Sequence, residues 1–114
     1  MDSYIKLSIR KMKAIIQAEE WDDGERSECG MLSYYKDPFL SFHAVCGMKS
    51  DGMAWGVVSF HDESKSEKPS LIAGERDILR ESIEMQDMEE CRVAARQWLL
   101  DNVEKAYELL LNDK

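Results

Sequence analysis

The fold is decided by the stretch FLSFHAVCGMKSDGMAWGVVSFHDE, residues 39 to 63. Two runs of apolar and small residues flank the tetrapeptide KSDG, residues 49 to 52. Asp51 and Gly52 both tolerate the positive φ of a tight turn, and β-prone residues surround them. The stretch is therefore predicted to form a β-hairpin that turns at Asp51-Gly52.

The length of the hairpin loop fixes which side chains share a face. A two-residue loop pairs Met48 with Trp55 and Phe42 with His61, and a four-residue loop shifts this pairing by two without exchanging the faces. Because side chains alternate along a strand, the predicted core face carries Leu40, Phe42, Ala44, Cys46, Met48, Met53, Trp55 and Val57. The second face is mixed and carries Ser41, His43, Val45, Gly47, Lys49, Ala54, Gly56, Val58 and Phe60.

Two further elements are predicted before the hairpin. Residues 4 to 19 form a helix, because apolar side chains recur at helical spacing on one face; these are Ile5, Ile9, Met12 and Ile16. The alternative is a short strand in which Ile5, Leu7 and Ile9 alternate, but the longer repeat favours the helix. Residues 19 to 30 are charged and interrupted by glycine, which predicts a loop. Residues 30 to 36, GMLSYYK, are typical of a strand.

The pattern after the hairpin is polar over residues 61 to 70 and helical from Gly74 to the end. ERDILRESIEM, residues 75 to 85, is interpreted as a shorter first helix. Asp87 followed by Glu90 has the spacing of a capping box, so a second helix is expected to begin near Met88. Its apolar stripe comprises Met88, Cys91, Ala95, Leu99, Val103, Ala106 and Leu110.

This order predicts one α+β domain over residues 1 to 114. An N-terminal helix precedes a three-stranded antiparallel sheet. One broken helix or two consecutive helices then follow at the C-terminus and pack on one face of the sheet.

The charge balance restricts the class of partner. The chain has 23 acidic and 15 basic residues and a formal net charge of −8. Nucleic acid and anionic membranes carry the same sign of charge, so direct binding to either is not expected. A protein with a basic surface is the expected partner, since a field that attracts phosphates also attracts carboxylates. The alternative is that the charge serves only solubility.

No catalytic or cofactor motif is found, so neither an enzyme nor a cofactor is expected. The three cysteines, Cys29, Cys46 and Cys91, lack CxxC spacing, which favours a reducing, cytoplasmic location. No secretory signal or membrane-spanning run is recognised. A zinc site would need three or four side chains to converge from the set Cys29, His43, Cys46, His61 and Cys91, and the predicted hairpin register opposes this. A thiol site that pairs Cys29 with either histidine remains open.

The segment around Trp21 is the predicted contact site. A tryptophan among carboxylates suits a recognition hot spot, and the predicted partner-binding residues are Glu19, Glu20, Trp21, Asp22, Asp23 and Glu25. The alternative is that Trp21 is a hydrophobic plug at the end of the first helix.

The favoured hypothesis is a small acidic protein that acts by binding another protein. Its concrete form is a stoichiometric inhibitor of a nucleic-acid-handling protein, of the phage anti-defence or toxin-immunity type. One alternative is a homodimeric escort or adaptor that uses apolar sheet or helix surface, including residues 109 to 111. The other is a small metalloprotein with Cys and His ligands.

Overall fold

The computed structural model describes residues 3–23, 29–63 and 77–112. Within these ranges the chain forms two helices and four strands. In chain order they are α1 (Ser3–Ala18), β1 (Cys29–Tyr34), β2 (Leu40–Met48), β3 (Ala54–Asp62), β4 (Asp77–Met85) and α2 (Met88–Asn112). The predicted α+β class is confirmed. One helix precedes the strands of the antiparallel sheet in the sequence, and one follows them.

The predicted apolar stripe of α1 is confirmed. Ile9, Met12 and Ile16 are buried and Ile5 is partly buried against the same core. The helix packs along α2, and its last carbonyls are bound by an arginine from that helix. Arg96 Nη1 donates to the carbonyl oxygens of Ile16, at 2.6 Å, and Glu19, at 2.9 Å. These bonds satisfy acceptors that a helix end leaves without intrahelical partners.

Helix α2 begins where the sequence predicts. The Asp87 carboxylate accepts a hydrogen bond from the backbone N–H of Glu90 at 2.9 Å, as an N-cap does. The predicted stripe faces the core, with Cys91, Ala95, Leu99, Val103 and Ala106 buried. In the described part of the chain, neither helix is long and apolar enough to cross a membrane.

The predicted three-stranded sheet is wrong, because the described residues form four strands in the order β1-β2-β3-β4. Residues 77 to 85, interpreted as a helix, are strand β4 and pair antiparallel with β3. Leu79, Ile83 and Met85 alternate on one face and pack against the core. The ladder with β3, rather than the helical spacing of Leu79 and Ile83, decides the structure of the segment.

The predicted hairpin register is wrong by one residue. Met48 pairs with Ala54 and Phe42 with Phe60, because the loop has three residues. The N–H of Lys49 donates to the carbonyl oxygen of Met53 at 2.7 Å, and Gly52 has a φ of 88°. A left-handed glycine as the third loop residue is the usual geometry of such turns.

The one-residue shift exchanges the two faces of β3. Val58 and Phe60 face the core and are fully buried, whereas the prediction had placed them on the mixed face. Trp55 and Val57 move to the face that is turned away from α2. His61 moves with them, so it now lies on the same face as His43.

Candidate functional site

The face of the sheet that is turned away from α2 is here called the open face. Among the described residues, no helix contacts it. Its rows run across the four strands: Cys29, Gly47, Trp55 and Glu84; Met31, Val45, Val57 and Ser82; Ser33, His43, Ser59 and Arg80; then Ser41, His61 and Asp77. The first two rows form an apolar half and the last two a polar half.

The apolar half is centred on Trp55. Its cross-strand partner is Gly47, and a Cβ at that glycine would lie 2.7 Å from the indole ring. The missing side chain therefore lets the indole lie against the backbone of β2. Met31, in the neighbouring row, is 45% exposed. Tryptophan and methionine are enriched where proteins bind one another.

The polar half contains three side chains at successive contact distances, here called the Ser59–His61–Asp77 relay. The Ser59 hydroxyl lies 3.0 Å from Nε2 of His61. The other ring nitrogen, Nδ1, lies 2.8 Å from Oδ1 of Asp77. The side chains of His61 and Asp77 are 7% and 12% exposed. A carboxylate at Nδ1 favours the tautomer in which Nε2 accepts the hydroxyl proton.

A β-bulge in β4 places Asp77 in this relay. Leu79 faces the core opposite Phe60, and simple alternation would put Asp77 on the core side as well. The register shifts between Phe60 and His61, so that Asp77 pairs with His61 instead. Bulges re-aim side chains in this way because the extra residue inverts the alternation beyond it.

Tyr35 and His43 border the relay. The Tyr35 hydroxyl lies 3.2 Å from Nδ1 of His43, and its ring centroid is 6.4 Å from that of His61. Burial, followed by the neighbouring His61, lowers the pKa of His43. Burial, followed by the Glu63 and Asp77 carboxylates, raises the pKa of Tyr35. Both shifts favour the uncharged side chains.

A further polar pair lies beside His61 on the same face. The hydroxyl of Ser41, the cross-strand partner of His61, donates to Oε1 of Glu63 at 2.9 Å. The backbone N–H of Glu63 donates to the carbonyl oxygen of Phe39 at 3.0 Å, which extends the ladder by one bond. Both side chains are buried, so their hydrogen bond offsets the cost of removing them from water.

The acidic segment predicted to bind the partner is attached to the edge of the sheet. Asp22 and Met31 exchange backbone hydrogen bonds of 2.7 and 2.9 Å in an antiparallel bridge. Paired residues share a face, so Asp22 lies beside Met31 on the open face. Alternation directs Trp21 and Asp23 to the opposite side, toward α2.

The two residues that flank Asp22 both contact Arg92 of α2. The guanidinium carbon lies 5.3 Å from the centroid of the Trp21 ring, and the guanidinium forms an ion pair with Asp23. Trp21 also packs against the hydrophobic core. These contacts favour the interpretation of Trp21 as a plug at the end of α1.

The other predicted contact residues differ in accessibility. The side chain of Glu20 is exposed, and Glu19 is half-buried. Glu25 lies outside the described residues. Of these residues, Asp22 is the one whose position beside the open face is fixed, through its bridge with Met31.

The cysteines and histidines do not converge on one point. Cys46 faces the core, whereas His43 and His61 face the open side of the sheet. Within the described ranges, no three His, Cys, Asp or Glu side chains are grouped so as to hold a metal ion. Cys29 lies at the far end of the open face from His61, in the row that contains Trp55.

Sequence reasoning missed the two halves of the open face for two reasons. The predicted hairpin register placed Trp55 and Val57 on the core face, and the strand that carries Asp77 was not predicted. The spacing of Ser59 and His61 places them on one face of a strand whatever the register. The partner strand of that face could not be inferred, because β4 was interpreted as a helix. The alternation of Leu79, Ile83 and Met85 was the available signal for β4.

No family model, no curated protein and no solved structure matches the chain.

Proposed function

We propose that the protein binds another protein through the apolar half of its open face and the carboxylates beside it. The expected partner has a basic, nucleic-acid-binding surface, and the protein acts as its stoichiometric inhibitor. The single observation that carries this proposal is the backbone bridge between Asp22 and Met31. It fixes a carboxylate next to an exposed apolar side chain, on a face that neither described helix contacts.

The combination suits a hot spot with a polar rim. Met31 offers a flexible apolar contact and Trp55 a rigid one. Interfaces concentrate their binding energy in such side chains. Asp22 borders Met31 on one side, and Glu84 borders Trp55 on the other. With a net charge of −8, the protein attracts a basic partner over a distance, and the apolar contacts then set the dissociation rate.

The proposal is tested by affinity capture with matched variants. The immobilised protein is exposed to an extract of the cells that carry its gene, at about 0.1 M and about 0.5 M salt. We expect capture of a nucleic-acid-binding protein, its release by duplex DNA, and weaker capture at the higher salt. Met31→Ser and Asp22→Lys should each reduce capture about tenfold or more, as loss of a hot spot does.

The control variants change equivalent side chains elsewhere. Leu7→Ser alters a side chain of α1 that is 61% exposed, and Glu104→Lys reverses an exposed charge on α2. Both should leave capture unchanged. Capture that survives Met31→Ser and Asp22→Lys but is lost in either control variant would assign binding to the helical side and contradict the proposal.

Homodimerisation remains the alternative use of apolar surface. Leu109 and Leu111 at the end of α2 are 37% and 40% exposed. A dimer through these side chains would be insensitive to salt, because apolar burial does not depend on charge screening. Light scattering of the wild type and of Leu111→Ser distinguishes this dimer from a monomeric inhibitor.

The Ser59–His61–Asp77 relay favours a second candidate function, acyl transfer from an ester. Its two ring nitrogens have the division of roles found in serine hydrolases, with the carboxylate at Nδ1 and the hydroxyl at Nε2. Arg80, the cross-strand partner of Ser59, lies 3.5 Å from Oδ2 of Asp77 and would supply a cation for a developing oxyanion. Ser59 Oγ would bond to the acyl carbon as His61 takes its proton, and the alcohol would leave with that proton. Water would then release the acid.

A fluorophosphonate probe separates this candidate from a purely structural relay. Labelling at Ser59 that is lost in Ser59→Ala and Asp77→Asn, but kept in Ser33→Ala, would support acyl transfer. Ser33 lies in the same row of the open face, so it controls for access. An unlabelled wild type would leave the relay with a structural role.

A further inference from the structure

Two thiols meet inside the core, on the side of the sheet opposite the relay. Cys46 lies in β2 and Cys91 in the first turn of α2, and their Sγ atoms are 3.1 Å apart. Both cysteines are free and fully buried. The pair is independent of the proposed binding face, because its side chains point into the core rather than toward the open face.

Gly56 provides the space in which the sulfurs meet. It is the cross-strand partner of Cys46, and a Cβ at this position would lie 2.9 Å from the Sγ of Cys91 and 3.3 Å from that of Cys46. A larger residue would therefore displace the Sγ of Cys91 from its place beside that of Cys46. The contact between the thiols depends on this missing side chain, on the helix start and on the β2–β3 register together.

We propose that Cys46 and Cys91 are a dithiol site that a small peroxide oxidises to an intramolecular disulfide. A disulfide has an S–S distance of about 2.05 Å, so the sulfurs must approach by about 1 Å, a movement that a side-chain rotation can supply. The bond would join β2 to α2, two elements on different layers of the fold. In reducing compartments such bonds are usually transient and redox-sensing.

The chemistry needs no group beyond the two thiols and the peroxide. One thiolate attacks hydrogen peroxide, becomes a sulfenic acid and releases hydroxide. The second thiolate attacks the sulfenic sulfur, forms the S–S bond and displaces a second hydroxide. The two thiol protons convert both hydroxides to water, so two thiols and one peroxide give one disulfide and two waters.

The two reduced thiols react slowly with oxidants. Burial, followed by the hydrogen bond with Cys91, raises the pKa of Cys46, and a neutral thiol is a poor nucleophile. Oxidation is therefore slower than at the exposed Cys29, and it requires an oxidant small enough to enter the core. Hydrogen peroxide meets this condition, whereas oxidised glutathione does not.

The test uses the full chain with Cys29→Ser, which removes the exposed thiol. After treatment with hydrogen peroxide, the protein is unfolded in the presence of iodoacetamide and its intact mass is measured. We expect loss of two hydrogens, no alkylation, one cross-linked peptide that contains Cys46 and Cys91, and reversal by dithiothreitol. The oxidised protein should also melt at a higher temperature, because the cross-link restricts the unfolded chain.

The double variants Cys29→Ser/Cys46→Ser and Cys29→Ser/Cys91→Ser are the controls. Each retains one buried thiol, so neither can show the loss of two hydrogens or the increase in melting temperature. Two alkylated thiols after a treatment that fully oxidises Cys29 in the wild type would overturn the proposal. Oxidation to sulfinic acid without a cross-linked peptide would overturn it as well.

Discussion

His61 and Asp77 meet across the β3–β4 ladder, with Nδ1 of the imidazole 2.8 Å from Oδ1 of the carboxylate. Two departures from regular geometry bring them together. The three-residue loop of the β2–β3 hairpin turns His61 to the open face. The bulge in β4 then turns Asp77 to the same face, and together these place the acid, the imidazole and the Ser59 hydroxyl in one relay.

Removing the carboxylate from this relay should destabilise the fold. In Asp77→Ala the buried imidazole loses its partner at Nδ1, and an unsatisfied buried polar group costs about 1–3 kcal/mol. Asp77→Asn retains an acceptor oxygen and should cost less. Urea denaturation of the wild type and of both variants measures these differences in the free energy of unfolding. If Asp77→Ala is as stable as the wild type, the contact contributes little.

Arg96 should contribute more to the free energy of unfolding than an exposed cation of the same helix does. Its guanidinium binds the carbonyl oxygens of Ile16, Gln17 and Glu19 at the end of α1, and hydrogen bonds to charged groups contribute about 1.5–3 kcal/mol. Arg96→Ala should therefore lower the free energy of unfolding by about 2 kcal/mol. Lys105→Ala, an exposed cation on the same helix, is the control and should change it by less than about 0.5 kcal/mol.

The hairpin turn should be sensitive at Gly52 and tolerant at Ser50. Gly52 has a φ of 88°, where an L side chain costs about 1–2 kcal/mol. Gly52→Ala should lower the free energy of unfolding by this amount, although open space surrounds the position. Gly52→Asn should recover part of the loss, since asparagine tolerates this conformation. A stability loss for Ser50→Ala as large as that for Gly52→Ala would argue against the turn geometry.

Stability should fall as the solution is acidified below the ordinary histidine pKa. In the folded protein the pKa of His43 is lowered from 6.5, so the unfolded chain binds a proton first as the pH falls. Neutral His43 makes its full contribution to the free energy of unfolding above about pH 6.5, and this contribution is lost as the pH falls toward the lowered pKa. The groups that face this imidazole are Tyr35, which contacts its Nδ1, and His61 and Asp77, which act on it electrostatically.

The contribution of His43 is isolated by substitution. Melting temperatures of the wild type and of His43→Gln are compared between about pH 7.5 and about pH 5.5. The variant should lose less stability over this interval, because glutamine does not titrate. An identical loss in both proteins would assign the pH dependence to other groups.

The helices could be predicted from the sequence because their signals are local. The spacing of Ile9, Met12 and Ile16 defines the buried face of α1. Asp87 marks the start of α2 because its carboxylate accepts a hydrogen bond from the N–H of Glu90, only three residues later in the sequence. Neither feature depends on how distant parts of the chain pair.

The open face could not be predicted because it depends on pairing between strands. The sequence around Asp51-Gly52 is compatible with a loop of either two or three residues. The length of the loop nevertheless decides on which face of the sheet every side chain of β3 lies. Asp77 additionally requires a bulge, which alternation alone does not reveal. The contacts of Arg92 with Asp23 and of Arg96 with the end of α1 likewise join residues that are distant in the sequence, so no local pattern indicates them.

The register of β2 against β3 is the relationship on which the open face depends, and nuclear Overhauser contacts between Hα protons measure it directly. Close contacts should connect Ala44 with Val58 and Phe42 with Phe60, because directly opposed Cα atoms lie about 4.5 Å apart in such pairs. This result would place Trp55 and His61 on the open face. Contacts between Phe42 and His61 instead would return Trp55 to the core, turn Ser59 and His61 away from the open face, and contradict both the binding face and the place of the relay on it.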